Sequence, residues 1–128
     1  MIARVDPNEP LNVLGGPLQT CRTNPMTGFL RDGCCNTNDQ DHGSHTVCVE
    51  LTAEFLEFSK FAGNDLLTPS PEYGFPGLEL RDRWCLCAAR WQEAYENDMA
   101  PRVVLESTHQ RALKIVSLEA VREFAVDQ

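Results

Sequence analysis

Ser44–Gly63, SHTVCVELTAEFLEFSKFAG, is the stretch that decides the fold. Val47, Val49 and Leu51 alternate with Thr46, Cys48 and Glu50, and β-branched residues are frequent, so 44–51 is predicted as a strand. Cys48 and Thr46 then share the face opposite the valines. Thr52 is placed to cap a helix over 53–62, because its hydroxyl can accept from a first-turn amide. Within that helix Phe55, Phe58, Phe61 and Ala62 recur at spacings of three and four and form an apolar stripe, while Glu54, Glu57 and Lys60 face water. Gly63 supplies the left-handed stop.

Downstream, 64–82 reads as a long connection with three prolines, in which Pro69 and Pro71 force extended backbone before them. Tyr73 and Phe75 suit a stiff apolar loop laid over a core or pocket. Trp84–Glu96, WCLCAARWQEAYE, fits two periods, one helix or a strand followed by a helix from about Ala89. The second is preferred, since Arg83–Cys87 resembles an edge entering a sheet after a polar turn. The choice matters chemically, because residues two apart share a face on a strand and diverge on a helix. Only extended backbone lets Cys85 and Cys87 serve one site. Pro101–Glu106 and Arg111–Val116 are predicted strands, and Ser117 caps a last helix reaching Phe124.

Upstream, Met1–Pro10 is polar and expected to fray, Asn12–Leu18 is a short apolar piece broken by Gly15, Gly16 and Pro17, and 19–43 has no periodicity. Turns are expected at NPMTG and RDG, with Met26, Phe29 and Leu30 as anchors; a loop of this length inside a domain is usually functional or disordered. The expected architecture is a flexible segment over 1–11 and one α+β domain over 12–128, with a small mixed sheet, about three helices and two long irregular loops.

The chain has 128 residues, 42% of them hydrophobic, enough for one domain with a core of its own. A formal net charge of -8 argues against binding to nucleic acid or to anionic membranes, which need clustered positive charge. No apolar run approaches the roughly 18 residues that cross a bilayer. Met1–Pro10 has no hydrophobic stretch of the secretory kind, so a cytoplasmic location is expected. In a reducing cytosol six cysteines, at 21, 34, 35, 48, 85 and 87, would be buried thiols, metal ligands or reactive thiols rather than disulfides.

The segments NVLGGPLQTC, PMTGFLRDGCCNT, the run from Gly43 to Leu78, RWCLCAARWQEA and VVLESTH together resemble the bacterial and algal family known as domain of unknown function 2237. The likeness runs from about Asn12 to the C-terminus. It implies a signature that includes Cys21, Gly28, Phe29, Arg31, Cys35, His45, Cys48, Asn64, Trp84, Cys85, Cys87, Arg90 and Trp91, and it implies no activity. Leu80-Arg81 stands where the family pattern has a Pro-Gly turn, and His42 where an apolar residue is usual.

Three chemistries fit these residues. Arg31, Asn36, His45 and Arg90, with two long loops as walls, suit a pocket for a small molecule or anion, since guanidinium grips carboxylate or phosphate bidentately. Those arginines can equally pair with Asp32, Asp82 or Glu93 and anchor loops. Cysteine-dependent redox or nucleophilic catalysis is the alternative, through Cys85, Cys87 or Cys35 with His45, because a neighbouring cation or a helix N-terminus activates a thiol. Zinc held by a set drawn from Cys35, His45, Cys48, Cys85 and Cys87 is the third, although none of these pairs has the usual two-to-four-residue knuckle spacing. Asp39, Asp41 and His42 read as a solvated turn, His109 as a surface histidine, and the Phe and Trp stripes as core. No protein partner is indicated. The expectation with the sharpest consequence is that sulfur from Cys35, Cys48, Cys85 or Cys87 meets Arg31, Arg90 and His45 in space.

Overall fold

The structure, a computed structural model, describes residues 10–23, 27–73 and 77–127. The fraying expected before Pro10, the turn around Asn24–Met26 and the anchoring by Met26 and Phe75 fall outside the described residues. The order is β1 (His45–Glu50), α1 (Ala53–Phe61), β2 (Arg83–Cys87), α2 (Ala88–Glu96), β3 (Arg102–Val103) and α3 (Leu118–Glu123). Short 3-10 turns lie at Pro71–Tyr73, Leu105–Ser107 and Gln110–Lys114. The class is α+β. Its three-stranded sheet has the order β2-β1-β3 and is antiparallel in both pairings, with a single parallel bridge between Val103 and Ala125.

β1 takes the central place because it is apolar on both faces: every residue from Thr46 to Val49 is buried. One face carries the main core, where Val47, Val49, Leu51, Phe55, Leu86, Trp91, Val103 and Val121 meet. Trp91 is wholly buried, donates its indole N–H to the Pro101 carbonyl at 3.3 Å, stacks on Tyr95 at 5.3 Å and receives the edge of Phe124 at 6.0 Å. Such rings add roughly 0.5–1.5 kcal/mol per pair beyond their burial. A second cluster consists of Cys21, Cys35, Cys48, Cys85 and Val104.

α1 begins where expected, with the Thr52 hydroxyl accepting from the Phe55 amide at 3.2 Å, and Gly63 follows its end at φ 95°. Its apolar stripe is narrower than the sequence suggested. Phe61 is 91% exposed, because six residues at about 100° each carry it some 120° round from Phe55, and Leu56 and Ser59 fill the buried face instead. The strand-then-helix reading of 83–96 holds, so Cys85 and Cys87 sit on extended backbone. The turn before β2 also survives without Pro-Gly: Asp82 N–H donates to the Glu79 carbonyl at 3.1 Å, and Arg81 adopts φ 70°.

Two predicted strands are corrected. Pro101–Glu106 is a strand only at Arg102–Val103, because the Asp127 carboxylate takes the Leu105 and Glu106 amides at 2.8 and 3.0 Å and turns the chain. Arg111–Val116 lies in no strand. The Nδ1 of His109 accepts the Arg111 amide at 2.9 Å and starts a 3-10 turn that buries Ala112 and leaves Leu113 and Ile115 outside. His109 itself is 9% exposed rather than a surface residue.

The cysteines depart most from expectation. Cys21 is bonded to Cys48 and Cys35 to Cys85, while Cys34 and Cys87 are free. Cys48 and Cys85 face each other across β1 and β2, so two adjacent ladder positions each reach out to the long loop. The linked residues are 27 and 50 apart in sequence. Loop-closure entropy then gives about 3.5 and about 4 kcal/mol for the two bridges. Urea unfolding of Cys21→Ser/Cys48→Ser and Cys35→Ser/Cys85→Ser should lose stability on that scale, with the second pair losing more.

His109 generates a second prediction. Burial, and then the positive charge of Arg111, hold its imidazole below the ordinary value of about 6.5. The unfolded chain therefore takes up this proton first. Its contribution to stability is complete above about pH 6.5 and is lost as pH falls toward the folded pKa. Denaturation midpoints of the native protein should drop over that window, and His109→Asn, which keeps an acceptor for Arg111, should flatten the profile.

Candidate functional site

The loop clipped by the disulfides is shaped by its backbone before any ligand is considered. Arg31 N–H donates to the Gly28 carbonyl at 3.1 Å, closing a turn in which Gly28 has φ 96°. A Cβ at Gly28 would run into the Cys34 carbonyl oxygen, so only glycine fits. Arg31 is itself held at φ 54°, a conformation few non-glycine residues adopt. The buried Thr27 hydroxyl accepts the Cys85 amide at 2.9 Å and fastens this turn to β2. As a result the Arg31 guanidinium lies 5.7 Å from the centre of the Trp84 ring, a cation–π arrangement.

The next loop prepares a histidine. The Asp41 side chain is fully buried, and its two oxygens accept from three groups: His45 Nδ1 at 2.7 Å, His45 N–H at 2.9 Å and the Thr37 hydroxyl at 2.9 Å. Burial pushes this carboxyl upward, but the hydrogen bonds from the His45 ring, the His45 backbone and Thr37, together with the His45 charge, outweigh it and hold Asp41 below the ordinary carboxylate range. Because a carboxylate only accepts, Nδ1 carries the hydrogen, and whenever the ring is neutral Nε2 is its acceptor. The His45 side chain is 42% exposed and stacks on Phe29 at 6.4 Å. Gly43 gives it room, since a Cβ there would stand 2.8 Å from His45 Cε1.

Cys87 ends β2 and is the N-cap of α2, where its side chain makes no capping bond. In the ladder it lies opposite His45, beside a register shift between His45 and Val47. The Ala88 amide donates to the Ser44 carbonyl at 2.9 Å, which makes His45–Cys87 a non-hydrogen-bonded pair, the type whose side chains stand closest. Arg90, on the first turn of α2, donates from Nη1 to the Ala62 carbonyl at 3.0 Å and pairs with Glu93 at 3.3 Å. Phe29, Arg31, His45, Trp84, Cys87 and Arg90 line one cleft of about 410 Å³, with Asn64 and Leu66 in its wall and Cys85 and Leu86 beneath.

Of the residues singled out from sequence, Arg31, His45 and Arg90 therefore meet, together with Cys87 and the backbone of β2. Asn36 does not line the cleft, and its side chain turns back to accept the Thr37 amide at 2.8 Å. Cys35 and Cys48 are buried in disulfides, as is Cys85, so none of the three is a free thiol. The zinc set thus loses three of its five ligands. The sulfurs of Cys21, Cys35 and Cys85 do lie within 4.8 Å of one another, yet every one is spent in an S–S bond. Arg90 pairs with Glu93, as the anchoring alternative anticipated, while still reaching the cleft.

Asp41 is the residue of this candidate site that is not evident from the sequence. It was grouped with Asp39 and His42 as solvated, and those two are exposed whereas Asp41 is not. Its spacing of four from His45, with Gly43 between them, was the available signal. Trp84 and Phe29 were read as core and anchor, and both also face the cleft.

No curated protein matches this sequence. Residues 11–125 match the family described as "Uncharacterized protein conserved in bacteria (DUF2237)", and with nearly the whole chain covered the protein belongs to that family.

Proposed function

We propose that this domain binds a small anionic molecule, a carboxylate or phosphate carrying an apolar part, in the cleft between the 27–35 loop and the start of α2. The observation that carries this reading is that Arg31, His45 and Arg90 line one cavity of about 410 Å³. A volume of that order suits a metabolite-sized ligand. Guanidinium has five N–H donors, and the bonds to Ala62 and Glu93 come from one nitrogen of Arg90, which leaves the others for a ligand. Stacking over Trp84 orients Arg31 while leaving its edge free, and Phe29 and Trp84 offer apolar walls. In a chain of net charge -8 this local positive group is the natural place for an anion to settle.

Neither a nucleic acid nor a membrane is a partner on this reading, because the rest of the surface would repel a polyanion. No helix among the described residues is long and apolar enough to cross a membrane. Two disulfides favour an oxidising compartment over the cytoplasmic location expected from sequence.

Titration calorimetry with succinate, with inorganic phosphate and with neutral succinamide tests the reading. At least one anion should bind and succinamide should not. Arg31→Gln and Arg90→Gln should each weaken the anion roughly ten- to a hundredfold, since a charge-assisted hydrogen bond contributes about 1.5–3 kcal/mol. Equal binding of succinamide, or affinities unmoved in both variants, would sink it.

A further inference from the structure

We propose that Cys87 is the nucleophile of this cleft and His45 its general base, acting on an ester or thioester whose acid half carries an anionic group. The substrate class rests on the anion-binding reading above. The nucleophile and base rest on separate observations.

The first observation is placement. Cys87 and His45 are directly opposed as a non-hydrogen-bonded pair, and both line the cavity. Among the described residues the free cysteines are Cys34 and Cys87. Cys34 lies away from the cleft with the Thr20 hydroxyl at 3.9 Å, so the reduced thiol that lines the cleft belongs to the residue opposite His45 in the ladder. The second is the backing of that imidazole. A buried carboxylate is costly unless its bonds are satisfied, and Asp41 spends two of its three bonds on His45, one of them fixing the ring tautomer. The third is the start of α2. First-turn amides of a helix have no partner within it, and the Cys87 side chain does not cap them. The amides of Ala89 and Arg90 lie at the helix end that Cys87 begins, where they can receive a developing oxyanion. The charged and titratable groups around the thiol are His45 from β1, Arg31 from the loop over it and Arg90 from α2, with Glu93 beyond Arg90 and Asp41 behind His45.

The chemistry closes without an added oxidant or metal. Nε2 of His45 takes the Sγ proton, and the sulfur lone pair forms a bond to the carbonyl carbon while the C=O π pair moves onto oxygen. Collapse of that oxyanion breaks the bond to the alcohol or thiol, which leaves with the proton held by imidazolium. Water, giving a proton to Nε2, then attacks the acyl–sulfur carbon. The second collapse releases the acid and returns the proton to Cys87. Substrate and water become an acid and an alcohol or thiol. Asp41 touches no reacting atom and is a positioning residue. Arg31 and Arg90 hold the anionic end.

Cys34→Ser protein, which lacks a competing thiol, is the test material, with mono-para-nitrophenyl adipate and the neutral para-nitrophenyl valerate as probes. Intact-mass and peptide mapping should find one acyl group, on Cys87. Nitrophenolate release should favour the adipate ester by about tenfold or more, and Arg31→Gln should erase that preference. With neutral iodoacetamide, the alkylation rate of Cys87 should fall about a hundredfold in His45→Gln. In Asp41→Asn the pH midpoint of that rate should move, a change that a purely structural carboxylate would not produce in a protein with unaltered circular dichroism. Acylation elsewhere than Cys87, or alkylation with the rate and pH midpoint of an ordinary thiol in the unmutated His45 and Asp41 background, overturns the proposal without any change to the cleft residues. A Cys87 that depends on His45 but prefers neither ester overturns only the anionic substrate class. Binding of succinate with an inert Cys87 leaves the anion reading standing and this one refuted.

Discussion

Two covalent links joining one irregular loop to neighbouring positions of a sheet organise this molecule. Cys48 and Cys85 are partners in the β1–β2 ladder, and their sulfurs run to Cys21 and Cys35 respectively. The described residues between Cys21 and Cys35 form no helix or strand and would otherwise bear the full conformational cost of lying on the sheet. The two bridges are joined by a few further bonds: Cys21 N–H to Gly33 at 2.7 Å, Gly33 N–H to Thr27 at 3.1 Å and Cys85 N–H to the Thr27 hydroxyl at 2.9 Å. A small three-stranded sheet could not order such a loop by apolar burial alone.

Everything in the cleft follows from that clamp. The left-handed conformation of Arg31 and the glycine-only position at Gly28 are unfavourable locally, and they persist because the surroundings over-determine them. Once the loop is fixed, Phe29 is set against His45 and Arg31 over Trp84. β2 supplies the other wall, and the change from strand to helix at Cys87–Ala88 turns a side chain and a helix N-terminus toward the same space. The disulfides thus divide the six sulfurs by role. Four are structural, Cys34 lies away from the cleft, and Cys87, on the strand that carries one of those four, lines the cavity.

The parts of the fold legible in the sequence were those governed by short-range rules. Alternation fixed β1, Thr52 and Ser117 capped their helices, and the extended reading of Arg83–Cys87 held, since each depends on residues within one or two turns. Arg31, His45 and Arg90 were identifiable as a group because their chemistry is conspicuous, and the family likeness marked the same positions. What could not be read was non-local. Six cysteines allow 15 pairings, and nothing in their spacing selects the two found. Asp41 looks solvated in the run DQDHGS, and its burial is created by Thr37 and by the way His45 enters β1. Arg111–Val116 has the composition of a strand, but the edge it would join is occupied: the Thr108 hydroxyl takes the Cys48 amide, and His109 N–H donates to Thr46.

The role proposed for the His45–Asp41 pair has an energetic basis. A carboxylate whose side chain is entirely out of water is held anionic only by the donors around it, and two of its three donors belong to the one residue that reaches the cleft. A turn could be closed without such a group, because Asp41 N–H to Asn38 and Ser44 N–H to Asp41 already do so through backbone atoms. The side chain therefore adds orientation to His45 rather than folding to the loop. With Nδ1 fixed as the donor, the neutral ring can accept only through Nε2, and the residue that the ladder sets opposite His45 is Cys87, at the start of a helix. A defined tautomer serves a ring that exchanges a proton, as the proposed general base does, and here it is secured at the cost of a buried charge.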